Sequence, residues 1–423
     1  MVNKIQAVKG TREFYPEEMA LRNYLYSKVR AASQAFGYQE WDGPFIESIQ
    51  LYAAKSGEEL VKKQSFTFED RGGDFVTLRP ELTPSLARMI AAKQGELTFP
   101  VRWWSFGPFW RYEQPQKGRS REFFQWNIDL LGVDSPEVDA ELIAVAATFL
   151  RSVGLTPELA AIYVNDRRLI NSQFESLGIP SEKRLDALNL VDRRAKMDAV
   201  KWDEYALEIG LSKAQLDALK TVLSNFDLWK TSPELTRCFA ALEALGVKEF
   251  VKFDPNITRG LLYYTGIVFE AFETSGSVKR AILGGGRYDN LLSDVGGQPL
   301  PATGFAMGDV VIGIVLQEAG LLPEFIPSPA PVLVTVFDES LWMKSFALAS
   351  ELRKAGLNII VYPEPAKLQK QFKFADKMKM RVALVIGPDE VEKGQVVVKD
   401  LSNGRQQTVR QEAVLESIKG LLK

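Results

Sequence analysis

The chain of 423 residues contains no histidine. That absence excludes a histidine general base, a Ser-His-Asp arrangement and any imidazole metal ligand. Chemistry must use carboxylates, arginines, lysines, tyrosines, backbone or an oxygen-held metal, which favours catalysis by positioning and electrostatics. The single cysteine, Cys238, excludes an internal disulfide and a cysteine-cluster metal site, so zinc is not expected. It fits a reducing cytosol. No apolar run approaches a membrane span; the longest lies around 142–150. The N-terminus MVNKIQAVKG lacks the apolar core of a signal peptide. A cytoplasmic protein with no membrane partner is expected. The net charge of −2 and a pI near 5.7 leave no global basic field, so a nucleic-acid surface would have to be a local patch. Neither a GxGxxG nor a GxxxxGK[ST] loop occurs, so any nucleotide binding is of another type.

The organisation is legible in the composition. The stretch LLPEFIPSPAP at 321–331 reads as a proline-rich linker, with 321–330 as the connecting segment. Beyond it, over 331–423, PVLVTVF, LNIIVY, RVALVIG and QVVVKDL alternate with helical patterns, one of them lysine-rich near 366–379. This is expected to be a small α/β domain, and it carries more Lys and Arg than Asp and Glu. Residues 1–165 combine a long amphipathic helix near 16–36 with apolar strands and a helix near 132–153, which has Pro136 at its start and Gly154 just past its end. Residues 166–248 look mostly helical, carry no chemical motif, and read as an insertion. From 249 to 320 strands and turns return. Strands in hairpins with helices set apart imply an α+β domain, 1–165 with 249–320, built on a mainly antiparallel sheet.

Four segments could carry chemistry. RGLLYYTGIVFE at 259–270 puts Arg259 at an expected strand start beside Tyr263 and Tyr264. GGGRYD at 284–289 follows, and Gly284, Gly285, Gly286 and Arg287 read as a glycine turn through which backbone approaches a ligand. A cation beside paired phenols suits a small zwitterion with a polar ring near a phosphate. The same residues would also suit a hairpin with packed tyrosines and a solvated arginine. GPFWRYEQPQKGRSREFFQWNIDLLG at 107–132 reads as a hairpin. Arg111 and Glu113 share one strand face, and Phe123, Gln125 and Asp129 share another. Between them runs a polar, cationic loop with Gln116, Lys117, Arg119 and Arg121. A guanidinium can grip a phosphate, a carboxylate can accept from an exocyclic amine, and a phenyl ring can stack on a purine. A cross-strand ion pair and a solvated loop is the plainer reading. TLRPELTPS at 77–85 supplies Glu81 and Thr83, expected on one strand face where they could receive an ammonium group; Thr83-Pro84 equally suits a helix start. TGFAMGDVVIG at 303–313 has Gly304 and Gly308 at helical spacing, which usually means close packing.

In this order and spacing the segments resemble the class II aminoacyl-tRNA synthetases and, within them, the histidyl-tRNA synthetases. KGTREFYP at 9–16 is similar to the N-terminal signature, Pro44 to the first class motif at a dimer interface, 107–132 to the second motif and 303–313 to the third. RGLLYYTG and GGGRYD resemble the signatures that set the histidine enzymes apart. The basic C-terminal domain resembles an anticodon-binding domain. The resemblance implies a homodimer that joins L-histidine to histidine tRNA with ATP and Mg²⁺, without an organic cofactor. It implies Arg111 on the ATP α-phosphate, Glu113 on the adenine amino group and Phe123 stacked on the base. Glu81, Thr83 and Gln125 would hold the substrate ammonium, and Asp129 and Tyr264, beside Tyr263, the imidazole. Arg259 would sit between substrate carboxylate and α-phosphate. Gln116, Lys117 and Arg119 of the loop, with Lys370 and Lys373 of the C-terminal domain, would meet tRNA.

The chain departs from the pattern at several points. Val310 and Val311 stand where the third motif usually carries Glu-Arg, whose arginine touches the ATP γ-phosphate. Arg121, with Arg119 or Mg²⁺, is the expected substitute. Leu262 replaces a common acidic residue, and Asp129 replaces a longer Glu in some members. The loss of the third-motif arginine leaves a second function open: a non-catalytic histidine sensor resembling the regulatory subunit of ATP phosphoribosyltransferase. Such proteins generally lack the C-terminal domain present here and tend to lose the ATP-binding arginines, whereas Arg111 and Arg259 are retained.

Overall fold

A computed structural model of the chain describes residues 5–53, 64–260, 263–290 and 292–422; Leu262 lies outside them. The chain divides into two units, Met1–Phe14 with Leu21–Pro323, and Tyr15–Ala20 with Glu324–Lys423. The cut falls inside the proline-rich stretch.

The larger unit contains strands β1 (Gln39–Glu40), β2 (Ile46–Ser48), β3 (Phe66–Glu69), β4 (Phe75–Leu78), β5 (Val101–Trp110), β6 (Glu122–Leu131), β7 (Ala160–Asp166), β8 (Val251–Phe253), β9 (Ile267–Glu273), β10 (Leu283–Arg287) and β11 (Ala302–Gly308). Eight of them form one sheet in the order β1-β5-β6-β11-β10-β9-β7-β8, antiparallel except for the β1–β5 and β7–β8 pairs. β2, β4 and β3 form a separate antiparallel sheet.

The pleat explains how one face of the large sheet becomes core and the other a site. On β6, Trp126, Ile128 and Leu130 point into the main core, where the Trp126 ring lies 5.3 Å from Phe149 and 4.8 Å from Phe305. The helix Pro136–Ser152 covers that face. Its proline sits in the first turn, Gly154 past its end has φ +87°, and its Ala, Leu, Ile and Phe side chains are almost all buried. Truncating Phe149 to alanine there would cost about 3–5 kcal/mol. Gln125, Asn127 and Asp129 alternate onto the opposite face.

The region 166–248, expected as one insertion, belongs to two cores. Ile170, Phe174, Leu190, Trp202, Leu216 and Leu219 form a helical core of their own, tied by Trp202 Nε1 donating to Leu190 O (2.7 Å). Leu228 and the helix Pro233–Ala244, through Leu235, Cys238 and Leu242, instead join the main core.

In the smaller unit β12 (Val332–Val334), β13 (Ile359–Val361), β14 (Val382–Val385), β15 (Gln395–Asp400) and β16 (Gln406–Arg410) form a sheet in the order β13-β12-β14-β15-β16. Its first three strands are parallel and the rest antiparallel. Helices Trp342–Lys354, Leu368–Lys377 and Val414–Leu422 accompany it. Among the described residues no helix is long and apolar enough to cross a membrane.

Candidate active site

Two cavities lie on the exposed face of the large sheet. The first, about 380 Å³, is lined by Glu81, Thr83, Arg111, Gln125, Asp129, Arg259, Tyr263 and Tyr264 among others. The second, about 220 Å³, is lined by Arg111, Glu113, Arg119, Phe123 and Gln125, again among others. Arg111 and Gln125 border both, so the cavities are contiguous.

The floor of the first cavity consists of small residues on two adjacent strands. Gly284 pairs with Ala306 and Gly286 with Gly304, while Gly304 pairs on its other side with Asp129 of β6. The glycine run is therefore a central strand rather than the expected turn. Its glycines are required by tertiary overlap. A Cβ on Gly284 would collide with the Arg259 guanidinium, and a Cβ on Gly304 with the Asp129 carboxylate. Gly304 and Gly308, expected at helical spacing, likewise lie on β11, two residues of the same strand face. Arg287 does not reach the cavity. It is buried, ion-paired to Asp139 (3.0 Å), and donates to Val133 O and Ser135 O. The pair anchors β10 to the first turn of the helix Pro136–Ser152, and the two carbonyl contacts tie it to the segment leading into that helix.

Asp129 is nearly inaccessible, and Tyr288 Oη donates to its Oδ1 (2.5 Å). Burial raises the Asp129 carboxyl to about 7; the Tyr288 hydrogen bond works in the other direction. Burial also pushes the Tyr263 and Tyr288 phenols well above their ordinary range. The rings of Tyr263, Tyr264 and Tyr288 pack against one another, with Tyr263 at 4.9 Å from Tyr264 and 5.9 Å from Tyr288.

Arg259 lies in the loop before β9, not at a strand start, with φ +54°. Its Nη1 donates to Glu270 Oε1 (2.7 Å), and its guanidinium lies 5.5 Å from the Tyr264 ring centre. Burial opposes its charge, but Tyr264 and Glu270 together hold its pKa above the ordinary arginine value. A left-handed arginine costs on the order of 1–2 kcal/mol. Arg167 offsets that cost. It is buried at the start of the helix Arg167–Ser176 and donates to Thr258 O (2.9 Å), Tyr264 O (3.0 Å) and Arg259 O.

Glu81 and Thr83 do not share a strand face. β4 ends at Leu78, Glu81 is in the following turn, and Thr83 opens the helix Thr83–Lys93. Both still line the first cavity. Arg111 follows β5 directly; its Nε donates to Pro80 O (2.9 Å), and its guanidinium is 5.3 Å from the Phe123 ring centre. Glu113 is ion-paired to Arg119 (3.0 Å). Arg121 is turned away from both cavities, contrary to the role expected of it. Its guanidinium lies 4.0 Å from the Tyr112 ring centre and donates to Glu113 O and Lys9 O. In the loop, Gln116 and Arg119 pair across a turn with Gly118 at φ +79°, and Lys117 bonds Glu318 (2.9 Å).

Several lining residues have no counterpart among the sequence expectations, among them Asn127, Tyr288, Gln64 and Arg280. Asn127 shares the face of Gln125 and Asp129, so the same spacing identifies it; its buried Nδ2 has no hydrogen-bond partner among the described residues. Tyr288 stands inside the GGGRYD signature. Gln64 and Arg280 had no local signal.

Two further surfaces carry residues singled out by the sequence. Pro44, Phe45, Ile46, Phe68 and Phe75 are exposed on or beside the three-stranded sheet. In the smaller unit Lys367, Lys370, Lys373 and Lys377 surround one cavity with Tyr362 and Phe374. Lys370 also pairs with Glu364 (2.6 Å), and Lys379 is engaged separately by Glu324 (2.9 Å).

Comparison with other proteins agrees with this geometry. The family described as histidyl-tRNA synthetase matches residues 10–309, and the one described as anticodon binding domain matches 331–421. A histidine–tRNA ligase of Opitutus terrae is 38% identical over 429 residues, covering 97% of this chain and 97% of that protein. The chloroplastic/mitochondrial histidine–tRNA ligase of Arabidopsis thaliana is 37% identical, covering 95% of this chain and 84% of that protein. The crystal structure of histidyl-tRNA synthetase from a Nostoc species superposes with a TM-score of 0.85 at 26% identity, covering 98% of this chain and 99% of that one. A Bacillus halodurans protein described as an ATP phosphoribosyltransferase regulatory subunit/histidyl-tRNA synthetase shares the fold at a TM-score of 0.71 and 22% identity, covering 84% of this chain and 92% of that one. The sensor reading is not favoured, because the full-length relatives are named ligases and the C-terminal domain is present. With matches that run through both units, and with a class II-like antiparallel sheet beneath the site, the chain belongs to the histidyl-tRNA synthetase family.

Proposed function

We propose the following division of labour for the activity that family membership gives this chain, ATP-dependent activation of L-histidine and its transfer to the 3′ end of histidine tRNA. Histidine occupies the first cavity. Its imidazole lies between Asp129 and Tyr264, one accepting from the ring N–H and the other donating to the unprotonated nitrogen. Glu81, Thr83 and Gln125 hold its ammonium group. ATP occupies the second cavity, with adenine on Phe123 and its amino group toward Glu113. The observation that supports this reading is the sharing of Arg111 between the cavities, with Arg259 lining the first: in this reading the two guanidiniums serve the meeting of carboxylate and α-phosphate.

The carboxylate attacks the α-phosphorus in line, the bond to the β-phosphate oxygen breaks, and pyrophosphate leaves. A terminal ribose hydroxyl of the tRNA then attacks the acyl carbon, AMP leaves, and the hydroxyl proton passes to solvent or phosphate. Alignment and charge neutralisation are the protein's contribution. Mg²⁺ enters as the ATP complex. Phosphate oxygens and water serve as its main ligands. A site that hydrogen-bonds the ring can reject apolar analogues by roughly 10⁴-fold or more.

The exposed apolar residues around Pro44 support a homodimer through the three-stranded sheet. The loop residues Gln116, Lys117 and Arg119 meet the acceptor end of the tRNA, and Lys370 and Lys373 meet its anticodon region, in the cytoplasm. Pyrophosphate exchange into ATP, with each of the twenty amino acids offered separately, tests the assignment. Exchange with histidine alone is expected; exchange with another amino acid would overturn the pocket reading.

A further inference from the structure

The second cavity carries more positive charge than the protein itself balances. Arg111, Arg119 and Arg280 line it with one carboxylate, Glu113. Glu113 is already committed to Arg119 at 3.0 Å, and Arg111 donates to Pro80 O. Arg280 has no hydrogen bond or ion pair among the described residues, although it is half-buried. Burial and the neighbouring Arg119 charge depress its pKa, and the Glu113 charge only partly opposes them. A half-buried guanidinium beside a second one is unfavourable unless an anion joins them.

The loop is shaped around this side chain. Gly118 has φ +79°, and a Cβ there would come within 2.9 Å of Arg280 Cδ and 3.8 Å of Val311 Cγ2. Arg280 therefore reaches across the glycine from the segment before β10 to the wall formed by Val310 and Val311, which supplies no charge. Arg121, the other arginine of the loop, is held by two carbonyls and the Tyr112 ring outside the cavity.

We propose that Arg280 binds the terminal phosphates of ATP. The proposal rests on the reading of the second cavity as the ATP site. With the base on Phe123 and the α-phosphate on Arg111, the rest of the triphosphate brings the anionic charge that this guanidinium lacks. Arg280 supplies from the segment before β10 the cation that Val311 does not. A guanidinium matches phosphate oxygens in a fork, and it stays with the pyrophosphate as that group leaves.

Arg280→Ala and Arg280→Lys in pyrophosphate exchange test this, together with binding of a non-hydrolysable histidyl-adenylate analogue, which has no β- or γ-phosphate. For Arg280→Ala the ATP KM is expected to rise about 10- to 100-fold, the loss of one charge-assisted hydrogen bond. The histidine KM and the affinity for the adenylate analogue should stay within about threefold on the same reasoning, because neither ligand carries the terminal phosphates. Arg280→Lys should recover part of the loss. An unchanged ATP KM would overturn the proposal, as would equal weakening of ATP and the analogue, which would mean that Arg280 supports the base or the loop. A parent protein without histidine-dependent exchange would strike the reaction assignment instead. Calorimetric binding of ATP to parent and Arg280→Ala would then still decide the arginine's role, equal affinities overturning it.

Discussion

Replacing Asp129 by asparagine should weaken histidine activation and strengthen the fold. The carboxyl is 4% exposed, and folding raises it from 3.8 to about 7. An acid with a raised folded pKa binds its proton more tightly in the folded state. Below about pH 4 both states are protonated and folding carries no penalty; the penalty grows as pH climbs from there to 7 and then levels off. A shift of about three units corresponds to about 4 kcal/mol at pH 8 and about 2 kcal/mol at pH 5. The asparagine would keep the shape of the side chain, leave an acceptor for Tyr288, and remove the ionisation. Urea unfolding of Asp129→Asn should therefore show a gain over the parent at pH 8 that shrinks by about 2 kcal/mol at pH 5. Histidine-dependent exchange should fall about 10- to 100-fold in kcat/KM, the loss of a charge-assisted hydrogen bond to the ring. Opposite signs for stability and activity would mark a group kept for function at the expense of stability. A variant less stable than the parent at pH 8, or a difference independent of pH, would refute the reasoning.

Gly284→Ala should displace the Arg259 guanidinium and lower kcat for exchange by about 100-fold or more, with ATP binding in calorimetry little changed, because a 1 Å misplacement of a reacting group carries that cost. Arg167→Ala frees three carbonyls around Arg259 and Tyr264; kcat should fall about 10- to 100-fold. Thermal unfolding should separate that loss from simple collapse, with a melting shift of a few degrees. Lys370→Ala with Lys373→Ala should leave histidine-dependent exchange intact and reduce the salt slope of tRNA binding, read by filter binding, by about one to two, roughly one for each lysine that no longer meets a phosphate.

What the sequence disclosed depended on whether a residue's reason was local. The helix Pro136–Ser152 was readable from its proline and the glycine that follows. The polar face of β6 was readable from even spacing, which reached Phe123, Gln125 and Asp129, and applied strictly would have reached Asn127. The glycine run misled because three glycines suggest a turn by local propensity, whereas here they exclude side chains from space held by Arg259 and by β11. Arg121 was close to the site in sequence but is drawn off by Lys9, 112 residues away. Arg167 and Arg280 meet residues distant in sequence, so nothing adjacent to them signalled a role, whereas Tyr288 stood inside the GGGRYD signature without being singled out. The helices from 166 to 248 look alike in sequence; what separates them is the core each one joins.

Charging of a histidine tRNA transcript with radiolabelled histidine, ATP and Mg²⁺ tests the central claim most directly. The account predicts acid-stable incorporation that depends on ATP and is abolished by Arg259→Ala. Histidine binding with no incorporation by the unaltered protein would contradict it.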